Sequence, residues 1–322
     1  MFTRRHALAL SAGLPLSMTR HAQAAGGDFG SFVAGVYAEA QAMGIRRDVL
    51  DAAFAGVTPN QKVIDRDRKQ SEFTMTWAAY RARVISDKRI NDGRAAAAAN
   101  RDLLARVEQH FRVSASVILG IWGLESSFGA ETGGYRVIEA LATLAWEGRR
   151  AAFFRAELMA ALKILNAGDI TAQRMTGSYA GAMGQPQFMP TSYLRLAVDF
   201  DGDGRRDIWN SRADVMGSIA NYLARSGWRA GESWGQPVRV PAGFVAQGRE
   251  VKRGLGEWAR QGVIPASGRW AASGDTPAAV LAPDGMGGET FMVFGNFAAI
   301  RRYNPSDFYA IAVGLIGDWA FS

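Results

Sequence analysis

Residues 113–129, VSASVILGIWGLESSFG, hold a single formal charge, Glu125. A stretch so apolar and so rich in small residues is satisfied only by burial on nearly every side, so the rest of the chain must be built around it. Read as a helix ending at Gly129 in a left-handed cap, it places Ile118, Ile121 and Trp122 seven, four and three residues before Glu125, on the same face. A carboxylate on that face either finds a partner or keeps its proton above the pH of about 4.3 at which a free side chain loses it. Two readings follow: a general acid, or a core-edge Glu that caps a backbone or pairs with an arginine.

The flanking sequence is helical in pattern. Residues 28–54 read as two short helices broken at Gly44, followed by a Pro59-Asn60 turn. Lys62 to Lys69 is charge-dense and reads as a solvated connection. A helix is expected from Phe73 to Ile85, then a longer one capped by Ser86 or Asp87 and reaching His110. Ile138 to Trp146 and Ala151 to Leu165 form two more amphipathic helices, and Arg212 to Arg225 another. After Trp234 the texture changes to short β-like runs at Val238–Val240, Ala279–Leu281 and Thr290–Phe294, with a short helix around Glu257-Trp258. Asn304 as cap and Pro305 at the first helical position open a last helix from Ser306 to Trp319. The expected divisions are residues 25–112, a helical region; 113–234, the core; 235–298, a small mixed β unit; and 299–322, a helix returning to the core.

Composition removes several chemistries. With no cysteine there is no disulfide, thiolate metal site, catalytic thiol or lipid-modified cysteine. Of three histidines, His6 and His21 precede residue 24, which leaves His110 alone and nearly excludes a Ser-His-Asp triad or a multi-histidine zinc site. The basic pair Arg4-Arg5, the apolar run Ala7 to Met18 and Ala22-Gln23-Ala24 read as a signal peptide over residues 1–24, of twin-arginine type. No stretch approaches the roughly 18 uninterrupted apolar residues of a membrane span. The net charge of +7 falls to +4 without Arg4, Arg5 and Arg20 of the expected signal, a mild excess that suits a polyanionic partner, but the charges are dispersed and carry no nucleic-acid-binding motif.

Two loops stand out. Thr176 to Pro190, TGSYAGAMGQPQFMP, has too many glycines and prolines for a regular helix and puts amides and hydroxyls where the backbone can approach a ligand; a tightly packed structural loop would look the same. Asp199 to Asn210, DFDGDGRRDIWN, follows the EF-hand order, with oxygen ligands at Asp199, Asp201 and Asp203, the turn glycine Gly204, the Arg205 carbonyl and Asp207. Its twelfth place is Asn210 instead of a bidentate Glu, and Arg206 stands where an apolar residue is usual. Asp214 could close the site, although Ser211 to Asp214 also reads as a helix start. The alternative to calcium is a metal-free Asp-Gly turn.

GLESSFG at 123–129, SYAGAMGQPQFMPTSY at 178–193, VDFDGDG at 198–204, IANYL at 219–223 and YNPSDFYAIAV at 303–313 together resemble the B-type lytic murein transglycosylases, in order and over roughly residues 28–320. The resemblance implies a mainly α, lysozyme-like helical core with a helical subdomain and a small β-containing one. It implies cleavage of the β-1,4 bond between N-acetylmuramic acid and N-acetylglucosamine in peptidoglycan to a 1,6-anhydromuramoyl end, with Glu125 as the single acid and base. It further implies that Ser178, Gln187, Tyr222, Tyr303 and Asn304 line the glycan groove, with Tyr309 a further candidate, and that Phe153 stands where the family can carry Tyr. No cofactor is needed for the chemistry; a structural Ca2+, a periplasmic location after signal removal and a monomer are expected.

The residues agree with a one-carboxylate mechanism. Ordinary glycosidases use two, whereas the acids nearest Glu125 in sequence, Glu131 and Glu139, lie beyond the helix-ending glycine and carry no motif. The rival readings are a muramidase, in which water attacks, and a peptidoglycan-binding protein whose acid is inert.

Overall fold

The computed structural model describes residues 27–69 and 75–322. The expected signal peptide and the start of the helix expected at Phe73 lie outside the described residues. Helices α1 (Phe29–Ala42) and α2 (Arg47–Phe54) flank Gly44, whose φ of +82° makes the turn between them. The charge-dense run is not a connection but a third helix, α3 (Gln61–Lys69). Its Val63, Ile64 and Asp67 share a buried face, and the Asp67 carboxylate pairs with Arg149 and with Arg150. Thr76 caps α4 (Trp77–Val84), its hydroxyl accepting from the Ala79 N–H. The long helix expected to reach His110 is two. Ser86 caps α5 (Asp87–Ala99), and after Asn100 the chain restarts as α6 (Arg101–Phe111). Asn100 donates both its backbone N–H and its side-chain amide to the Ala96 carbonyl, which ends the first helix.

The central helix α7 (Ala115–Ser126) is followed by β1 (Tyr135–Arg136), α8 (Val137–Glu147), α9 (Ala151–Ala167), β2 (Thr176–Gly177), α10 (Pro190–Leu196) and α11 (Arg212–Arg225). A sheet unit comes next: β3 (Gly235–Arg239), β4 (Arg253–Gly254), α12 (Leu255–Arg260), β5 (Ile264–Pro265), β6 (Pro277–Leu281) and β7 (Thr290–Val293). Its five strands are antiparallel in the order β4-β6-β7-β3-β5, with Val293 of β7 opposite both Gly235 and Ala279. The chain closes with α13 (Gly295–Tyr303) and α14 (Asp307–Ala320). The cap of that last helix is Ser306, whose hydroxyl accepts from the Tyr309 N–H; Asn304 instead ends α13 and accepts from the Ser306 N–H.

Three cores result, and two of them join distant parts of the chain. Residues of α1–α3 pack with α8–α10 and the loops around Met183 and Ile208. Residues of α4–α7 pack with α11, α13, α14 and the inner face of the sheet. The sheet unit buries Val238, Leu255, Trp258 and Met292 on its own side. Helix α7 is buried along almost its whole length, and its closest partner is α14. Gly120 and Gly317 permit the approach: a Cβ on the first would lie 2.2 Å from the Val313 carbonyl oxygen, and on the second 2.2 Å from that of Ser116.

Candidate active site

The end of α7 turns sharply. Ser127, Phe128 and Gly129 are consecutive left-handed residues (φ +49°, +59° and +90°). The turn folds the Phe128 ring back over Gly123, where a Cβ would lie 2.5 Å from the ring, and edge-on to Trp122 at 5.7 Å. Trp122 donates its indole N–H to Gln185 Oε1 at 2.8 Å, and Gln185 Nε2 donates to the Trp209 carbonyl at 2.8 Å. The glycine-rich loop is thereby pinned to the helix that carries the acid. Gln185 was not singled out from sequence; the only signal for it is its place in that loop.

Glu125 is half-buried. Tyr309, on α14, donates its hydroxyl to Glu125 Oε1 at 2.6 Å, while Oε2 has no hydrogen bond among the described residues. Burial pushes the carboxyl up from an ordinary 4.5 to about 7, against the opposing effect of the Tyr309 hydrogen bond. Burial holds the Tyr303 and Tyr309 hydroxyls well above the usual tyrosine range, with the nearby Glu125 charge as a second cause. Tyr80 on α4 is raised in the same way, by burial and then by the Glu125 charge. No local pattern marks Tyr80, because its relation to Glu125 is made by tertiary packing.

The aromatic wall continues away from the acid. The Tyr303 and Tyr309 rings are near-parallel at 6.5 Å, and Tyr222 lies 4.5 Å from Tyr303. Tyr222 donates to the Arg302 carbonyl and Tyr303 to the Pro186 carbonyl, both at 2.6 Å, so each holds a neighbouring segment while offering a ring face. Ser178 Oγ accepts from the Ala182 N–H at 3.0 Å and the Ala180 N–H at 3.3 Å, which leaves its own proton to donate. Gln187 has φ +52°, and its Nε2 donates to the carbonyls of Gly184 and Thr132, so the amide nitrogen locks the loop and Oε1 remains. Asn304 is turned to its own backbone as described. Phe153 is exposed and edge-on to Phe154. Glu131 and Glu139 point elsewhere, to Ser127 Oγ and Asn60 Nδ2.

The acidic loop is a separate site. Asp199, Asp201 and Asp203 converge, each offering one oxygen within 4.8 Å of the others. Asp199 gathers the N–H groups of Gly202, Asp203 and Gly204, and Gly204 has φ +89° at the turn. Three exposed hard oxygens on a preformed turn fit a calcium ion. Asp207 accepts from the Trp209 and Asn210 N–H groups. Asp214 is buried and accepts from the N–H groups of Phe200 and Asp207, and burial raises its carboxyl to about 6. It braces the loop from beneath, as a first-turn residue of α11.

A helical body around one half-buried acid, held on one oxygen by a tyrosine hydroxyl and with the other free of hydrogen bonds among the described residues, is the arrangement of a lysozyme-like glycan-cleaving class. Residues 28–318 match the transglycosylase SLT domain, and the chain belongs to that family, in its B-type lytic murein transglycosylase branch. It is 34% identical over 243 residues to the membrane-bound lytic murein transglycosylase B of Escherichia coli (strain K12), covering 75% of this chain and 66% of that protein. The crystal structure of SltB3 from Pseudomonas aeruginosa in complex with NAG-anhNAM-pentapeptide superposes with a TM-score of 0.87 at 44% identity, covering 91% of this chain and 79% of that one. The Escherichia coli lytic transglycosylase Slt35 in complex with calcium gives 0.76 at 29% identity, covering 95% and 98%. Among the described residues no helix is long and apolar enough to cross a membrane.

Proposed function

We propose that this chain is a lytic transglycosylase that cleaves the β-1,4 bond between N-acetylmuramic acid and N-acetylglucosamine, with Glu125 as its only acid and base. The observation that carries the reading is the Glu125 carboxyl, raised to about 7 with Oε1 on Tyr309. Near neutral pH it is protonated often enough to give its proton to the departing glucosamine oxygen as the C1–O4 bond breaks. The resulting carboxylate then takes the proton of the muramoyl C6 hydroxyl while O6 bonds to C1, so no water is consumed. Tyr309 steadies the ionised form between the two steps without supplying a second carboxylate.

Mass spectrometry of the sugars released from purified peptidoglycan tests this directly. Products a water lighter than reducing muropeptides, lost in Glu125→Gln, are the expected result; reducing-end products would make the chain a muramidase. No release with intact folding would favour a binding protein. Its place of work is then the periplasm, which suits the export reading of residues 1–24. A calcium ion on Asp199, Asp201 and Asp203 is structural here, since the mechanism has no use for it. Its expected signature is a melting temperature that rises with calcium and falls with chelator, and an unchanged melt would overturn it.

A further inference from the structure

Gln185 is 8% exposed, so its amide lies behind the surface that a glycan could touch. A buried amide needs hydrogen-bond partners, and those of Gln185 lie on two segments remote in sequence. Oε1 accepts the Trp122 indole N–H and Nε2 donates to the Trp209 carbonyl, both at 2.8 Å. The Gln185 backbone N–H donates to the Ile208 carbonyl at 2.9 Å. Two glycines make room for this wedge. A Cβ on Gly129, in the turn after α7, would lie 2.5 Å from Gln185 Oε1, and one on Gly184 would lie 2.6 Å from the Ile208 carbonyl oxygen.

The two residues that follow are held beside the acid. The Pro186 carbonyl accepts the Tyr303 hydroxyl at 2.6 Å, and Tyr303 stands near enough to Glu125 for the carboxylate charge to act on it. Gln187 has φ +52°, a left-handed conformation that a residue with a Cβ keeps only when its surroundings hold it there. Its Nε2 bonds to the Gly184 and Thr132 carbonyls do part of this. Residues 185–187 thus join α7, the loop after it, α13 and the segment before α11. Among the described residues, the Trp122–Gln185 bond is the one hydrogen bond from this tripeptide to α7 itself. Trp122 precedes Glu125 by three residues, so the two side chains are neighbours on one face of that helix.

We propose that Gln185 is a positioning residue for glycan cleavage: through Trp122 it fixes the register between Glu125 and the loop that presents Ser178 and Gln187. The inference rests on the reading of Glu125 as the acid that cleaves the glycan. A sugar held by that loop meets the acid's proton only if loop and helix keep their spacing, and a misplacement of about 1 Å is enough to slow a reaction about a hundredfold. The carboxyl itself is bonded by Tyr309 and not by Gln185, so Gln185 acts on geometry through its neighbours and touches neither sugar nor acid.

The test uses Gln185→Met, which keeps the volume and removes both side-chain hydrogen bonds, and Trp122→Phe, which removes the indole donor and keeps a ring. Rates on purified peptidoglycan are taken well below the melting temperature of each variant, so that a residue serving the fold alone would leave them unchanged. In Gln185→Met, kcat should fall about a hundredfold while KM moves less than about threefold. The double variant should be about as slow as Gln185→Met, because both changes remove the same bond. A lower melting temperature with kcat unchanged, a loss confined to KM, or losses that multiply in the double variant would each overturn the proposal. Where Gln185→Met does not fold, Trp122→Phe reads the same bond, with an expected fall in kcat of about tenfold; an unchanged kcat there would also overturn it. The outcomes separate the two readings. Turnover by the wild type that Gln185→Met retains in full sinks the positioning role alone, whereas a wild type that cleaves no glycan sinks the reading of Glu125 and this role with it.

Discussion

Replacing Tyr309 by Phe removes one hydroxyl from the acid and leaves the ring that packs beside Tyr303. The 2.6 Å bond from Tyr309 to Glu125 Oε1 favours the ionised carboxylate, and burial favours the neutral acid; burial wins, at about 7. A hydrogen bond to a charged group contributes about 1.5–3 kcal/mol, the lower figure suiting a half-open site, and about 1.4 kcal/mol corresponds to one pH unit. Without the hydroxyl the carboxyl should therefore titrate about one pH unit higher. Where protonation of the leaving oxygen limits turnover, activity is lost as pH rises through the acid's pKa. The alkaline limb of kcat, expected near 7 in the wild type, should move toward 8 in Tyr309→Phe. Initial rates on purified peptidoglycan from pH 5 to 9 give both limbs. A uniform fall in rate would mean only that the hydroxyl also touches substrate. A limb that stays in place or moves to lower pH would refute the balance of burial against Tyr309.

The same raised carboxyl predicts a stability cost. A carboxyl whose folded pKa lies above its unfolded value stabilises nothing at low pH and weakens the fold as pH rises from about 4.5 through 7. Glu125→Gln should match the wild type in urea unfolding at pH 4 and exceed it at pH 8 by about 2 kcal/mol, after allowance for the part-open carboxylate; a pH-independent difference would contradict this. Asp284→Ala strips the Trp77 and Ala78 N–H groups of α4 of their acceptor and should cost about 1–2 kcal/mol, with a fall in kcat because Tyr80 rides on that helix; unchanged melting and turnover would count against that contact. Gly120→Ala places a Cβ 2.2 Å from a backbone carbonyl oxygen that cannot swing aside. About 3 kcal/mol of lost stability is expected by chemical denaturation, and a cost below 1 kcal/mol would mean that α7 and α14 are less tightly seated.

What the sequence disclosed was local. The apolar run around Glu125, the bounds of α11 and the pairing runs at β6 and β7 follow from periodicity and capping, and those elements form, although the helix of Glu125 ends at Ser126 with Ser127 as its left-handed cap and not at Gly129. The errors arose where a distant partner decides. Residues of α3 look solvated until Arg149 and Arg150 supply the charge that lets Asp67 be buried. Nothing at Asn100 announces a helix end, since an Asn side chain bonding back to a carbonyl competes with continued helix only slightly. Asn304 and Ser306 are equally good caps by residue type, and the Tyr309 N–H bonds to Ser306. For the candidate site, Glu125 is legible as a lone carboxylate on an apolar helix face, whereas Tyr80 and Gln185 acquire their places only through packing against α14 and α7.

The proposed one-carboxylate mechanism agrees with how Glu125 is buried. A second carboxylate beside Glu125 would add its charge to the cost of ionising the first and raise that pKa further. The residue would then give up its proton readily in the first step but resist remaining charged between the steps. Tyrosine hydroxyls solve both halves: burial keeps them neutral, and one of them donates to the carboxylate, so Glu125 sits near 7, where either protonation state is accessible. That balance suits a residue that must first give a proton and then take one back, and it depends on α14 lying close enough to α7 for Tyr309 to reach Oε1. Gly120 and Gly317 permit that distance, so two absent side chains let Tyr309 reach the Glu125 carboxylate.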